Sequence, residues 1–314
     1  MCPAQSNQMG NSPRAIELIQ HAINACPTNH HLYNSLAEAY GKVEDHDRAI
    51  VAYQKALSLN PRSTEALINL GLLYKRQNAL QQAIACYQKA IAVDPNLPIA
   101  YSNLGTAFST LGDLVKSAAC YRRALALDPA HVIALFNFGN VLQKMGDLNG
   151  AIACYRRVLA LDSCFILARL NLGLAYHAMG CIEAAIDALE SVLRQDPHNA
   201  EAVAYLLRQY QQACDWGRVT RLSAKLDQLT RKAIEKGVAP AEPPFLNISR
   251  HMDPDLNLAV ARLWSRRIQE RAAAAEPFSS KKRANTNGSF CSDRFENAAG
   301  NNDTMIPIRL SPCL

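Results

Sequence analysis

The chain has 314 residues, 49% hydrophobic and 19% charged, with only 14 glycines and 15 prolines. That composition excludes collagen-like and broadly disordered classes and leaves ample apolar material for a core. Roughly 150 residues per domain would suggest about two domains, and 7% aromatic content favours helices over a β-sandwich. No apolar run approaches the roughly 18 to 20 residues of a membrane span. The start, Met1-Cys2-Pro3-Ala4-Gln5-Ser6-Asn7, lacks a basic n-region and an apolar h-region, so a soluble, cytoplasmic chain is expected. The net charge of +6 is uneven: residues 1–213 carry 17 Lys+Arg against 16 Asp+Glu, and residues 214–314 carry 16 against 11. The excess sits in Arg262, Arg266, Arg267, Arg271, Lys281, Lys282 and Arg283. Without interleaved aromatics or an RNA-binding signature, this cluster reads as a solvated helix face with a basic tail, and no nucleic-acid or membrane partner is expected.

Taken in order, residues 1–12 carry no pattern and are expected to be disordered. Residues 13–29 fit the second half of a helix pair, with Ala15, Ala22 and Pro27 in register. Five full units follow at 30–63, 64–97, 98–131, 132–165 and 166–199, and a partial one at 200–213. The unit from Thr64 has Leu67, Leu70-Gly71, Tyr74, Ala83, Tyr87, Ala90 and Pro95. The same types return at a period of 34 on either side: Tyr33, Leu36-Ala37, Tyr40, Ala49, Tyr53, Ala56 and Pro61 before; Tyr101, Leu104-Gly105, Phe108, Ser117, Tyr121, Ala124 and Pro129 after. Apolar spacings of three, one and three place the first set on one helical face, and Ala83, Tyr87 and Ala90 place the second set on another. Gly112 and Gly146 suit left-handed positions closing the first helix, with Asp113 and Asp147 capping the next. Asp94-Pro95 and Asp128-Pro129 should end the second helix. This pattern resembles the tetratricopeptide (TPR) repeat. The predicted fold is all-α: a right-handed TPR α-α superhelix, or solenoid, followed by linker helices over 214–278 and a disordered tail over 279–314.

Candidate site residues lie on the first helix of each unit, off its packing face. The sixth position of successive units reads Ser35, Asn69, Asn103, Asn137 and Asn171. Asn is a mediocre helix former and is too far inside to cap the start. Its amide pairs with both N–H and C=O of a peptide. Asn69, Asn103, Asn137 and Asn171 therefore form a candidate ladder for a polypeptide lying along a concave face. The alternative, that each amide bonds a neighbouring helix, stays open. Other residues of the stripe are mixed: Glu65, Leu72 and Arg76; Ile99, Thr106 and Thr110; Ile133, Asn140 and Lys144. TPR domains that grip a C-terminal carboxylate use a Lys and Asn clamp on this surface. Asn34, Glu38 and Ile99 at clamp positions disfavour that mode here.

Cys86, Cys120 and Cys154 recur at the repeat period in one Ala-Cys-Tyr context. They read as a single buried slot used three times, and the ten cysteines include no CxxC pair or zinc spacing. Neither metal nor cofactor is expected. No catalytic constellation emerges, and His177 reads as a surface residue. The sequons at Asn247, Asn287 and Asn302 carry little weight without an export signal.

After the array come Cys214-Asp215-Trp216, a basic amphipathic stretch to Lys236, Pro243-Pro244-Phe245 and Asp253-Pro254-Asp255-Leu256. A helix to about Ala275 follows, with Leu256, Val260, Leu263, Trp264 and Ile268 on its apolar face. This succession resembles the O-GlcNAc transferase (SPINDLY-type) family over about residues 13–278. There the segment joins the repeats to a two-lobed glycosyltransferase domain, and an Asn ladder holds the acceptor polypeptide. The resemblance implies that role for Asn69, Asn103, Asn137 and Asn171. Beyond Phe278 the family's strand motif and catalytic His are missing, and low-complexity polar sequence resembles the product of a frameshift or premature stop. Three readings follow: the acceptor-recognition part of such a protein, not catalytic by itself; a general TPR scaffold; or a fragment of an active transferase. Uncapped repeats also suggest self-association.

Overall fold

The computed structural model describes residues 3–244, 247 and 253–274. Among these the secondary structure is entirely helical, and the chain forms two compact units, Met1–Met145 and Gly146–Leu314. The expected tail, Lys281, Lys282, Arg283, Asn287 and Asn302 lie outside the described residues.

The first unit contains α1 (Pro3–Ala25), α2 (His30–Lys42), α3 (His46–Leu59), α4 (Thr64–Arg76), α5 (Leu80–Val93), α6 (Pro98–Thr110), α7 (Leu114–Leu127) and α8 (Val132–Lys144). α2 pairs with α3, α4 with α5 and α6 with α7, and each pair packs on the helix that follows it. The first helices of neighbouring pairs also touch, α4 with α6 and α6 with α8. This is the packing of an α-α solenoid, in which neighbours supply the core that one hairpin cannot make alone. α1 lies against α2, with Ile16, Ile19 and Ile23 packed on the core of the first full pair, as the register of residues 13–29 requires. It also takes in residues 3–12, where disorder was expected. Extending a formed helix costs far less than nucleating one, which accounts for an extension lacking the repeat pattern.

The second unit contains α9 (Leu148–Leu161), α10 (Ile166–Ala178), α11 (Ile182–Gln195), α12 (Ala200–Gln212), α13 (Trp216–Glu235) and α14 (Pro254–Ala274). α10 pairs with α11, and α12 pairs with α13. A helix pair thus forms across Ala213, where the sequence pattern fades. Leu207 stands at the register of Gly71, and Ser223 at that of Tyr87. Large and small residues exchange sides, so the pattern disappears while the packing persists. Leu207 is fully buried, and Val203, Ala204 and Leu226 form a core cluster across the pair.

Every pair turns in the same way. Glu44, Asn78, Gly112, Gly146, Gly180 and Cys214, spaced by 34 residues, all have positive φ, between 55° and 84°. At Gly112 the following residue, Asp113, donates its N–H to the Phe108 carbonyl at 3.0 Å, and Asp215 does so to Tyr210 at 2.9 Å. This is the Schellman closure of a helix. Asp113, Asp147 and Asp215 then cap the next helix. Cys214-Asp215-Trp216 is thus a left-handed residue, a cap and a first helical residue. The second turn works through aspartate. Asp94, Asp128 and Asp162 are extended, and each accepts an N–H from two residues onward at 2.9–3.0 Å. Asp162 does so with Ser163 after it instead of proline, so the side-chain turn suffices to stop the helix.

Beyond the array, Thr230 and Asn247 both donate to the buried Glu242 carboxylate, at 3.0 and 3.2 Å. Trp264 of α14 donates to the Glu242 carbonyl at 3.0 Å. Val260 and Trp264 are buried as expected, whereas Ile268 is exposed. The arginines Arg262, Arg266 and Arg271 face solvent, and Arg267 lies over the Trp264 ring.

Candidate functional site: the amide face of the first helices

The glycine two residues after each amide determines what lies beneath it. A Cβ on Gly71 would stand 2.5 Å from the Tyr87 ring, and one on Gly105 would stand 3.1 Å from Tyr121. The missing side chain lets each tyrosine cross the first helix of its own pair. Tyr87, Tyr121 and Tyr155 are buried to within 1%.

Asn69, Asn103, Asn137 and Asn171 are all half-buried. Each lies 16 residues after a tyrosine of the preceding second helix: Tyr53, Tyr87, Tyr121 and Tyr155. The Tyr53 hydroxyl interacts with Asn69, that of Tyr121 with Asn137 and, in the second unit, that of Tyr155 with Asn171. Thr106 donates its hydroxyl proton to the Ser102 carbonyl at 3.0 Å. The contact of 2.9 Å between Thr106 Oγ1 and the Tyr121 hydroxyl is therefore donated by the phenol. Burial raises the phenols of Tyr53 and Tyr121 to about 12, with Glu38 adding to the effect at Tyr53. They are neutral hydrogen-bonding groups at ordinary pH.

Of the two readings raised by the sequence, the bond to a neighbouring helix is present at Asn69, Asn137 and Asn171. The spacing of 16 was visible but its meaning was not, because it depends on how a second helix sits against the next first helix. The pairing also follows residue type at the ends of the array. Where the slot holds Ile19 or Leu189 instead of tyrosine, the residue 16 onward is Ser35 or Tyr205, not Asn. Satisfying a buried phenol is thus one function of Asn69, Asn137 and Asn171.

It is not the whole of their environment. Ile99, Ile133 and Leu167, each four residues before an amide, are 48%, 51% and 55% exposed. A branched apolar side chain and an amide therefore share the open face of α6 and α8, and likewise of α10. On α4 the corresponding residue is Glu65, and Asn69 donates to Glu38 at 3.3 Å. Glu38 on this face opposes a bound carboxylate, and Asn34 at the first clamp position is buried.

The remaining candidates are structural. The thiols of Cys86, Cys120 and Cys154 are pushed up by burial, that of Cys120 to about 11, and all three are free. His177 is half-buried: it contacts Gln209 and packs edge-on to Tyr205, and burial lowers its pKa, with Arg208 contributing. Among the described residues no His, Cys, Asp or Glu cluster has a metal-binding arrangement, and no helix is long and apolar enough to cross a membrane.

Comparison with known proteins places the repeats. Family profiles described as "TPR repeat" match residues 74–112 and 139–180. Others described as "Tetratricopeptide repeat" match 32–63, 52–85, 98–131, 120–153 and 167–199. Together they run unbroken from 32 to 199, more than half of the chain, and the protein belongs to the tetratricopeptide-repeat superfamily. No curated protein matches the sequence. Among solved structures it is similar to MamA protein, with 27% identity and a TM-score of 0.50, covering 55% of this chain and 93% of that one. It is similar to YrrB, a TPR protein with an unusual peptide-binding site, with 24% identity and a TM-score of 0.50, covering 58% and 94%. It is also similar to pilF of Pseudomonas aeruginosa, with 19% identity and a TM-score of 0.57, covering 64% and 91%. The last two likenesses concern the fold alone.

Proposed function

We propose that this protein is a polypeptide-binding TPR module. Its docking residues are Asn69, Asn103 and Asn137 on the first unit and Asn171 on the second. The observation that carries the reading is the exposed Ile99, Ile133 and Leu167, one helical turn from an amide in each case. Large aliphatic groups held in water beside paired donors and acceptors suit an extended chain, whose backbone meets the amides while its side chains cover the apolar residues. The finer reading, acceptor recognition for an O-GlcNAc-transferase-like protein, rests on the resemblance of residues 214–275. Part of that segment, Cys214-Asp215-Trp216, has a sufficient explanation as a repeat turn. A general TPR scaffold is the alternative that uses the same face.

The test is binding of a peptide array by the purified chain, compared with the Ile99→Lys, Ile133→Lys double variant. Binding of many unrelated extended peptides, weakened by the lysines, supports the module. Equal binding by both proteins would place recognition elsewhere. Sugar transfer from UDP-GlcNAc by this chain would replace a binding role with a catalytic one.

A further inference from the structure

The four amide positions are alike in sequence but differ in their hydrogen bonding. Asn69, Asn137 and Asn171 each interact with a tyrosine hydroxyl. Asn103 makes no side-chain hydrogen bond among the described residues, although Tyr87 lies at the spacing that pairs the others. The Tyr87 hydroxyl is correspondingly orphaned: the residue is fully buried and its oxygen has no partner. A second difference lies beside it. Thr106, which receives the Tyr121 hydroxyl, is replaced one repeat earlier by Leu72, which cannot accept a hydrogen bond. Tyr87 therefore lacks both partners that Tyr121 has.

We infer that Asn103 is the principal peptide-gripping residue of the first unit, and that it takes an uncharged, extended segment carrying branched apolar side chains. This rests on the polypeptide-binding reading and narrows it to one place and one ligand chemistry. An amide bound to a phenol has already spent part of its capacity, and swinging outward would strand a buried hydroxyl. Asn103 has two N–H donors and a carbonyl acceptor uncommitted, enough to bracket one peptide unit through its C=O and N–H. Its neighbours define the side chains. Ile99 stands one turn before it on α6, and Ile133 occupies the same register on α8; both are about half exposed. α6 contains no charged residue, and α8 contains only Lys144, at its far end. Cations near these helices, Arg123 over Tyr101 and Arg122 over Phe138, are on α7. A charged ligand side chain beside Ile99 would lose water without a charged partner from α6 itself, whereas valine or isoleucine would cover exposed aliphatic surface.

The probe is a short fluorescein-labelled peptide of alternating valine and serine, with its backbone N-methylated form as control, titrated into the full chain by fluorescence anisotropy. Asn103→Ala should weaken binding about three- to tenfold, the effect of losing one or two neutral hydrogen bonds. Asn137→Ala should cost less affinity while lowering thermal stability, because it removes a partner of Tyr121. N-methylation should weaken binding to the wild-type chain and have little further effect on Asn103→Ala. Equal losses for Asn103→Ala and Asn137→Ala would overturn the inference, as would an Asn103→Ala chain that binds like wild type. If Ile99→Lys abolishes binding while Asn103→Ala does not, the module stands and this residue assignment falls. If the wild-type chain binds no member of the peptide array, both fall.

Discussion

Removing one oxygen from each of two equivalent tyrosines should have opposite effects on stability. Tyr121 and Tyr87 hold the same slot in successive pairs and are buried alike. The Tyr121 hydroxyl donates to Thr106 at 2.9 Å and interacts with Asn137. Tyr121→Phe loses those bonds, at about 0.5–1.5 kcal/mol net for each. Thr106 and Asn137 are half-buried and regain some water, so a loss of about 1–2 kcal/mol is expected. The Tyr87 hydroxyl has no partner, and an unsatisfied buried polar group costs about 1–3 kcal/mol. Tyr87→Phe removes that cost and leaves the ring packed on Gly71, so a gain of about 1 kcal/mol is expected. Urea denaturation followed by far-ultraviolet circular dichroism measures both against wild type. An unchanged slope is the condition for reading the midpoint shift as stability. Repeat arrays need not unfold in one step, so the comparison of interest is the sign of the two shifts in adjacent repeats. Matching losses would mean that Tyr87 has a hydrogen-bond partner in solution. Asn103 would be the nearest candidate by register, and its status as the uncommitted amide would then be refuted.

Further outcomes follow from the packing and the turns. Gly71→Ala places a methyl 2.5 Å from the buried Tyr87 ring and should destabilise by about 1–3 kcal/mol, with Gly105→Ala costing less because its contact is 3.1 Å; urea melts of both check the order. Cys214→Gly removes a non-glycine residue from φ 55° and should stabilise by about 0.5–1 kcal/mol, read as a higher urea midpoint. Tyr53 and Tyr121 have folded pKa values raised to about 12 by burial, so their contribution to stability is complete below about 10, the unfolded value, and is lost as pH rises through 12. Phenolate absorbance from these residues should appear only in that window, together with loss of helicity. Iodoacetamide at neutral pH should modify the exposed Cys26, Cys164 and Cys181 well before Cys86, as read by peptide mass mapping.

Much of the fold was legible because a period of 34 restates each structural requirement several times. Gly112 and Gly146 announced the left-handed turn, and Asp113 and Asp147 announced the cap after it. Glu44 and Cys214 adopt the same backbone without announcing it, since tertiary packing imposes that conformation on residues that do not favour it, whereas Asn78 is a residue that tolerates it. The pairing of α12 with α13 was hidden for a related reason. The identities at 207 and 223 follow a conserved sum of volumes and no fixed pattern of types. Ser163 stands where Pro95 and Pro129 stand in the units before it, yet Asp162 makes the turn alone. In the candidate site, the amides were legible as a series and the exposed Ile99 and Ile133 as part of a stripe. The inequality among the amides was not, because it depends on where each tyrosine oxygen ends within a few ångströms.

The exchange of bulk between α12 and α13 has a consequence for assembly. Hairpins that resemble one another this closely can be built out of order, with one helix taking the partner that belongs to a neighbour. The α4–α5 and α6–α7 pairs share a lock of one shape, a glycine notch on the first helix and a ring from the second, and α10–α11 has an aliphatic version in Gly173 against Leu189. The last pair reverses the shape, setting a leucine knob on α12 at the position where α13 presents serine. If α12 slipped onto a tyrosine-bearing helix, two large groups would compete for one space. If α13 slipped onto a glycine-bearing helix, a hole would remain. The reversed shape thus disfavours exchange of α12 or α13 with a helix of a glycine-and-ring pair.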